Sequence, residues 1–178
     1  MNKLHPYQEL ILTESNSQPM NQDDFEYWTA SYGFTRQFIH AKQQVVDTIS
    51  WHRQLLKKDY PRKDQEDTLR LKGIETHYLD LGDIAGAVIA SKWILLVNPF
   101  YLLWNGELYL DEIIPHELAH FLAFNNDKYE GHGKIWKGYC IALGCKKAPD
   151  STHQYPKKAV VQNYLEKQFV MDEKEFII

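Results

Sequence analysis

Apolar residues recur with helical spacing over residues 3–13, where Leu4, Tyr7, Leu10 and Ile11 share a face. The chain then turns polar over residues 14–24, around Pro19, so a short helix and a connector are expected there. The longest periodic stretch covers residues 34–58. Phe38, Ala41, Val45, Ile49, Trp51, Leu55 and Leu56 spread over one broad face, which predicts a long helix packed across a sheet. Residues 60–67 are charged and include Pro61, and they read as a loop rather than a linker between domains. Three short runs follow at 74–81, 84–90 and 93–97, rich in β-branched and aromatic residues and separated by Gly82-Asp83 and Ser91-Lys92. This spacing predicts a three-stranded antiparallel meander. Helical patterns return over 108–124 and 134–143, the second stopping at Gly144. Pro115 either kinks the first of these or marks the first turn of a helix beginning near Ile114. Residues 159–178 mix apolar and charged positions and fit a docking helix, an edge strand or a partner-binding extension.

The pattern implies an α+β fold, a small antiparallel sheet packed against helices. A chain of 178 residues is long enough to bury one sizeable core, and 44% hydrophobic with 13% aromatic content argues against global disorder. No apolar run approaches the length needed to span a bilayer, so no membrane role is expected. The first residues carry no long apolar segment after Lys3, so no secretion signal is expected and a cytoplasmic location is. Cys140 and Cys145 then read as reduced, buried structural thiols, because they lack the paired spacing of a metal ribbon.

The net charge of −4 conceals an uneven distribution. Residues 34–72 hold nine Lys/Arg against five Asp/Glu, residues 128–158 hold seven against two, and residues 73–127 hold one Lys against eight acids. The basic segments 34–72 and 128–158 are candidates for contact with a polyanion such as DNA, with solvated surface faces as the alternative.

The strongest chemical signal is His116-Glu117-Leu118-Ala119-His120, followed after eleven residues by His132 within Gly131-His132-Gly133. Residues four apart on a helix share a face, so His116 and His120 can offer two imidazoles to one ion, with Glu117 beside it. Three protein ligands and one open position suit a catalytic zinc ion. The third ligand follows by exclusion. The HExxHxxGxxH arrangement would need Gly at 123 and His at 126, where this chain has Ala123 and Asn126. Residues 134–143 hold no Glu, and the next after Glu130 is Glu166. His132 remains, with Gly131 and Gly133 allowing tight backbone on either side. Glu112, four residues before His116, is a candidate partner orienting that imidazole, with a solvated helix-start carboxylate as the alternative. His153, Tyr155, Tyr129 and Tyr139 are candidate donors to a developing oxyanion, and Trp136 is expected to pack beneath the ligand loop. If residues 93–98 form an exposed sheet edge near the ion, an extended peptide could add to it.

Four segments together resemble the bacterial SprT family: Asn105-Gly106, the run from Asp111 to His120, Gly131-His132-Gly133-Lys134-Ile135-Trp136-Lys137, and Thr152-His153-Gln154. The related eukaryotic Spartan proteases share the metal motif. The resemblance covers residues 74–155 and implies a zincin-like metalloprotease domain. It implies Zn2+ on His116, His120 and His132, and Glu117 as catalytic base. The domain division expected is an N-terminal helix and connector over 1–33, the protease domain over 34–155, and a C-terminal extension over 156–178 packed on the same domain. The activity implied is zinc-dependent endopeptidase action on protein substrates, extending by analogy with Spartan to repair of DNA-protein crosslinks. Many SprT proteins continue into a cysteine-rich ribbon, whereas no Cys follows Cys145 in this sequence, so DNA contact is expected from the protease domain or a partner. The competing reading is a non-catalytic, zinc-stabilised module that binds DNA or protein, against which the intact Glu117 argues.

Overall fold

Asn21 accepts a hydrogen bond from the backbone N–H of Asp24 at 2.9 Å and starts helix α1 (Gln22–Ser31). Phe25 and Trp28 lie on its inner face and interlock with Phe38 and Phe100, with ring centroids 4.9–5.4 Å apart. This helix replaces the expected connector in part. The computed structural model describes residues 19–59, 73–145 and 155–175, so the helix expected over 3–13 and the loop over 60–67 fall outside the described residues.

Helix α2 (Thr35–Asp59) buries Phe38, Ala41, Val45, Ile49 and Leu56, as its periodicity requires. Trp51 does not join them. At about 100° per residue it is turned away from the stripe, and it is 53% exposed while His52 is 3% exposed. Nor does α2 lie across a sheet. It packs on helices that follow later in the chain, and reaches the sheet chiefly where Phe38 meets the ring of Tyr78. Burial lowers the His52 imidazole from 6.5 to about 4, against the opposing influence of Asp111 and the Leu143 backbone. The folded value lies below the unfolded one, so the unfolded chain takes up the proton first as pH falls through this window. Stability should therefore drop between about pH 6.5 and pH 4, by up to roughly 3 kcal/mol. Thermal melts in chelator from about pH 7 down to pH 4.5 should show this slope, and His52→Leu should make it shallower, the remainder coming from the equally depressed His120. Equal slopes would rule His52 out as its source.

Strands β1 (Glu75–Tyr78), β2 (Gly86–Ile89) and β3 (Ile94–Val97) form one sheet in the order β1-β3-β2. The sheet is mixed rather than an antiparallel meander: β1 pairs with β3 in parallel, and β2 pairs with β3 antiparallel. The reason lies in residues 79–85, which cannot form a tight hairpin. The buried Asp80 carboxylate accepts the Gly82 N–H at 3.0 Å, and the buried Asn98 amide donates to the carbonyls of Gly82 and Ile84 at 3.1 and 2.8 Å. The chain is thereby carried past β3 before β2 begins. The most continuously apolar strand takes the centre, and Leu95, Leu96 and Val97 are all buried. Leu95 and Val97 face the main core, whereas Leu96 joins Leu79 and Leu81 on the other face, following the period of two.

After β3, Asn98 caps helix α3 (Pro99–Trp104), accepting from Phe100 N at 3.2 Å. A single turn (Gly106–Leu108), capped by Asn105, and a π-helical turn (Tyr109–Ile113) then lead into helix α4 (Ile114–Asp127). The wider turn has a cause in Pro115, which lacks an N–H and whose ring crowds the carbonyl four residues back. The Ile114 N–H reaches instead to Tyr109 O. Helix α5 (Lys134–Ala142) packs along α4 and closes at Gly144, which has a φ of +77°.

Helix α6 (Lys158–Glu175) packs on α3 through the buried Val161 and Leu165, so this part of the C-terminal region is a helix on the same core. Its start is tied down by polar contacts. Lys158 pairs with buried Asp80, the Lys158 N–H donates to Asp83 at 2.8 Å, and Tyr101 donates to the Pro156 carbonyl at 2.7 Å. Asp80 also accepts the Met20 N–H at 3.0 Å. No helix among the described residues is long and apolar enough to cross a membrane.

Candidate metal centre

Helix α4 carries His116, Glu117 and His120. Its opposite face is embedded in the core through Ile114, Leu118, Phe121 and Leu122, which fixes its rotation. The helix ends at Lys128, whose φ of +53° is left-handed, with Lys128 N and Tyr129 N donating to Phe124 O and Ala123 O. Gly131, at φ +104°, turns the chain back. His132 then sits over the helix face. Gly133 does not supply a left-handed turn, since its φ is −78°. A β-carbon there would lie 2.1 Å from the Tyr129 hydroxyl, so glycine leaves that hydroxyl its place.

The three imidazoles converge. His132 Nε2 stands 3.1 Å from His120 Nε2 and 3.2 Å from His116 Nε2. Nitrogens bound tetrahedrally at zinc-like distances of 2.0–2.1 Å stand roughly 3.3 Å apart, so the spacing and the donor set fit a single ion. Burial lowers His120 to about 4, with His132 adding to the effect, and burial lowers His132 also. Both rings are thus neutral near pH 7, the form that binds a metal. Beneath them lies Trp136, fully buried, with ring centroids 4.6 Å from those of His116 and His132 and its indole N–H donating to His116 O at 3.3 Å.

Glu117 is buried beside the cluster, and burial pushes its carboxyl up to about 8. Strand β2 lies directly against it. A β-carbon at Gly86 would stand 3.1 Å from Ile113 Cγ2 and 3.3 Å from Glu117 Cγ. Together these groups line a cleft of about 670 Å³, bounded by Asp83 through Ser91 on one side and by Tyr129 through His132 and Tyr155 on the other. The sheet edge along this cleft is β2, not the segment 93–98, which is central. The sequence pattern over 84–90 predicts a strand and no more. Its glycine at 86 was the available sign of close approach to another element.

The remaining candidates divide. Tyr155 lines the cleft, and burial together with the charges of Glu112 and Glu117 holds its phenol well above the usual range. Tyr129 also lines it. Tyr139 is engaged elsewhere, donating to Asp127 at 2.8 Å and accepting from Asn126. Glu112 is buried on the π-helical turn, so it is not a solvated helix-start carboxylate. His153 lies outside the described residues, and the basic segments 34–72 and 128–158 lie only partly within them. Cys140 is buried and Cys145 half-buried, and both are free thiols.

The fold and the cluster together define a small α+β domain whose three histidines are placed to bind one metal ion. The chain belongs to the SprT-like family, whose model matches residues 57–156. Among relatives, it is 40% identical over 62 residues to Protein SprT of Erwinia tasmaniensis, covering 34% of this chain and 36% of that one. It is 31% identical over 104 residues to Protein SprT of Photorhabdus laumondii, covering 56% and 48%. With Protein SprT of Shewanella oneidensis it shares 29% over 119 residues, covering 66% and 69%. The chain spans about a third to a half of the length of the first two. No solved structure matches it.

Proposed function

We propose that the chain is a zinc-dependent endopeptidase of SprT type with a zincin-like site, acting on proteins and in particular on proteins held on DNA. The observation that carries this reading is the convergence of three imidazole Nε2 atoms beside a buried carboxyl group in one cleft. His116, His120 and His132 would hold the ion. Zinc bound there would supply Lewis acidity toward a carbonyl oxygen and toward a water. Beside the positive charge of such an ion the Glu117 carboxyl, raised by burial alone, would return to the carboxylate, the form that accepts the water proton and returns it to the leaving amine. The edge of β2 offers backbone groups to an extended substrate, and its Ala87, Val88 and Ile89 side chains ask little of the substrate sequence. Tyr155, kept protonated by its surroundings, supplies an O–H toward developing negative charge.

Gly86 sets how closely the edge strand meets the base. Gly86→Ala should displace the Glu117 side chain by a few tenths of an ångström and cut turnover about tenfold, while metal binding is retained. Parallel assays of metal content and kcat check this, and unchanged kcat would remove the constraint.

The experiment for the function combines zinc stoichiometry with cleavage of an unfolded protein substrate, with and without single-stranded and double-stranded DNA, comparing wild type with Glu117→Gln. The expected result is DNA-stimulated cutting by zinc-loaded wild type alone. Cutting indifferent to DNA would remove the nucleic-acid part, carried here by the basic segments 34–72 and 128–158. Zinc-loaded wild type that never cuts would leave a zinc-stabilised binding module.

A further inference from the structure

The two halves of the histidine cluster come from different elements, so their spacing depends on residues 128–133. Tyr129 is fastened at both ends of that connection. Its backbone N–H donates to Ala123 O at 3.1 Å, on the helix that carries His116 and His120. Its phenol oxygen accepts the Gly133 N–H at 2.9 Å, immediately beyond His132. That N–H stands at the start of α5, where backbone donors lack partners within their own helix. The absence of a β-carbon at Gly133 is what admits the hydroxyl, and the Gly131 turn brings the two ends together. We propose that Tyr129 is a positioning residue for the third metal ligand: it clamps the His132 loop to the end of the helix bearing the other two.

The inference rests on the metal-site reading, and the test separates them. Apo protein is titrated with Co2+ against a competing chelator, and the visible absorption of the bound ion is recorded. Wild type should bind a single Co2+, and His132→Ala should lose it. Tyr129→Phe retains the ring and removes only the hydroxyl. It should bind about tenfold more weakly, with an altered visible spectrum, while its thermal stability in chelator stays near wild type. Gly133→Ala, which leaves Tyr129 in place but drives its hydroxyl away, should show the same loss and serves if Tyr129→Phe folds poorly. Wild-type affinity and spectrum in either folded variant would overturn the clamp. A wild type that takes up no Co2+ would overturn the metal reading, and the clamp with it.

Discussion

Glu117→Gln should abolish peptide hydrolysis, by a factor of about 10² to 10⁴, while leaving metal affinity intact. Glutamine has the shape of glutamate, so the close packing against Gly86 in the buried space persists. Without the ion, burial favours the uncharged carboxyl there, so a neutral amide brings no new desolvation cost to the fold, while the ion's charge would restore the carboxylate in wild type only. What it lacks is a basic oxygen for the water proton. Turnover and metal content measured on the same preparation decide the matter. Residual activity within a few-fold of wild type would show that Glu117 is not the base.

Trp136→Ala should be the most destabilising single change near the site, costing about 3–5 kcal/mol. The indole is fully buried, and its removal opens a cavity directly under the imidazoles of His116 and His132. Denaturant unfolding in chelator measures this apart from any metal contribution. Trp136→Phe should cost less, chiefly the N–H bond to His116 O at 3.3 Å, about 1 kcal/mol, plus incomplete filling. A loss under about 1 kcal/mol in Trp136→Ala would mean that the surrounding chain collapses freely into the space.

The helices were legible where a stripe of apolar residues was long enough to show its period, as in α2 and α5. Within α2 the stripe misleads at one point: a broad apolar face takes in Trp51, where angular position selects His52. Helix α1 carries its signals in Asn21, Asp23, Asp24, Phe25 and Trp28, but the polar run before it continues into its first turn and has the composition of a connector. The strands were legible as strands, not as neighbours. Pairing order depends on side chains such as Asp80 and Asn98 that redirect the backbone between strands, and spacing along the chain does not reveal whom they will bond. The apolar run Ile94-Leu95-Leu96-Val97 did hold a clue, since a strand lacking polar positions belongs in the middle of a sheet. At the site, HExxH fixed two imidazoles through helix geometry alone. That His132 comes within 3.2 Å of both was not contained in its spacing, because the return depends on the Lys128 and Gly131 backbone and on the Tyr129 hydroxyl.

Asp80 joins distant parts of the chain through one carboxylate. Its donors are the Met20 N–H ahead of α1, the Gly82 N–H in the turn before β2, and Lys158 at the head of α6. A buried charge that loses its partner is far costlier than an exposed apolar face. Undocking α6 would therefore strand an anion at the base of the turn that sets β2 against Glu117. Helix α6 and the β2 wall of the cleft are mechanically linked through Asp80, so loosening α6 would be felt at the cleft.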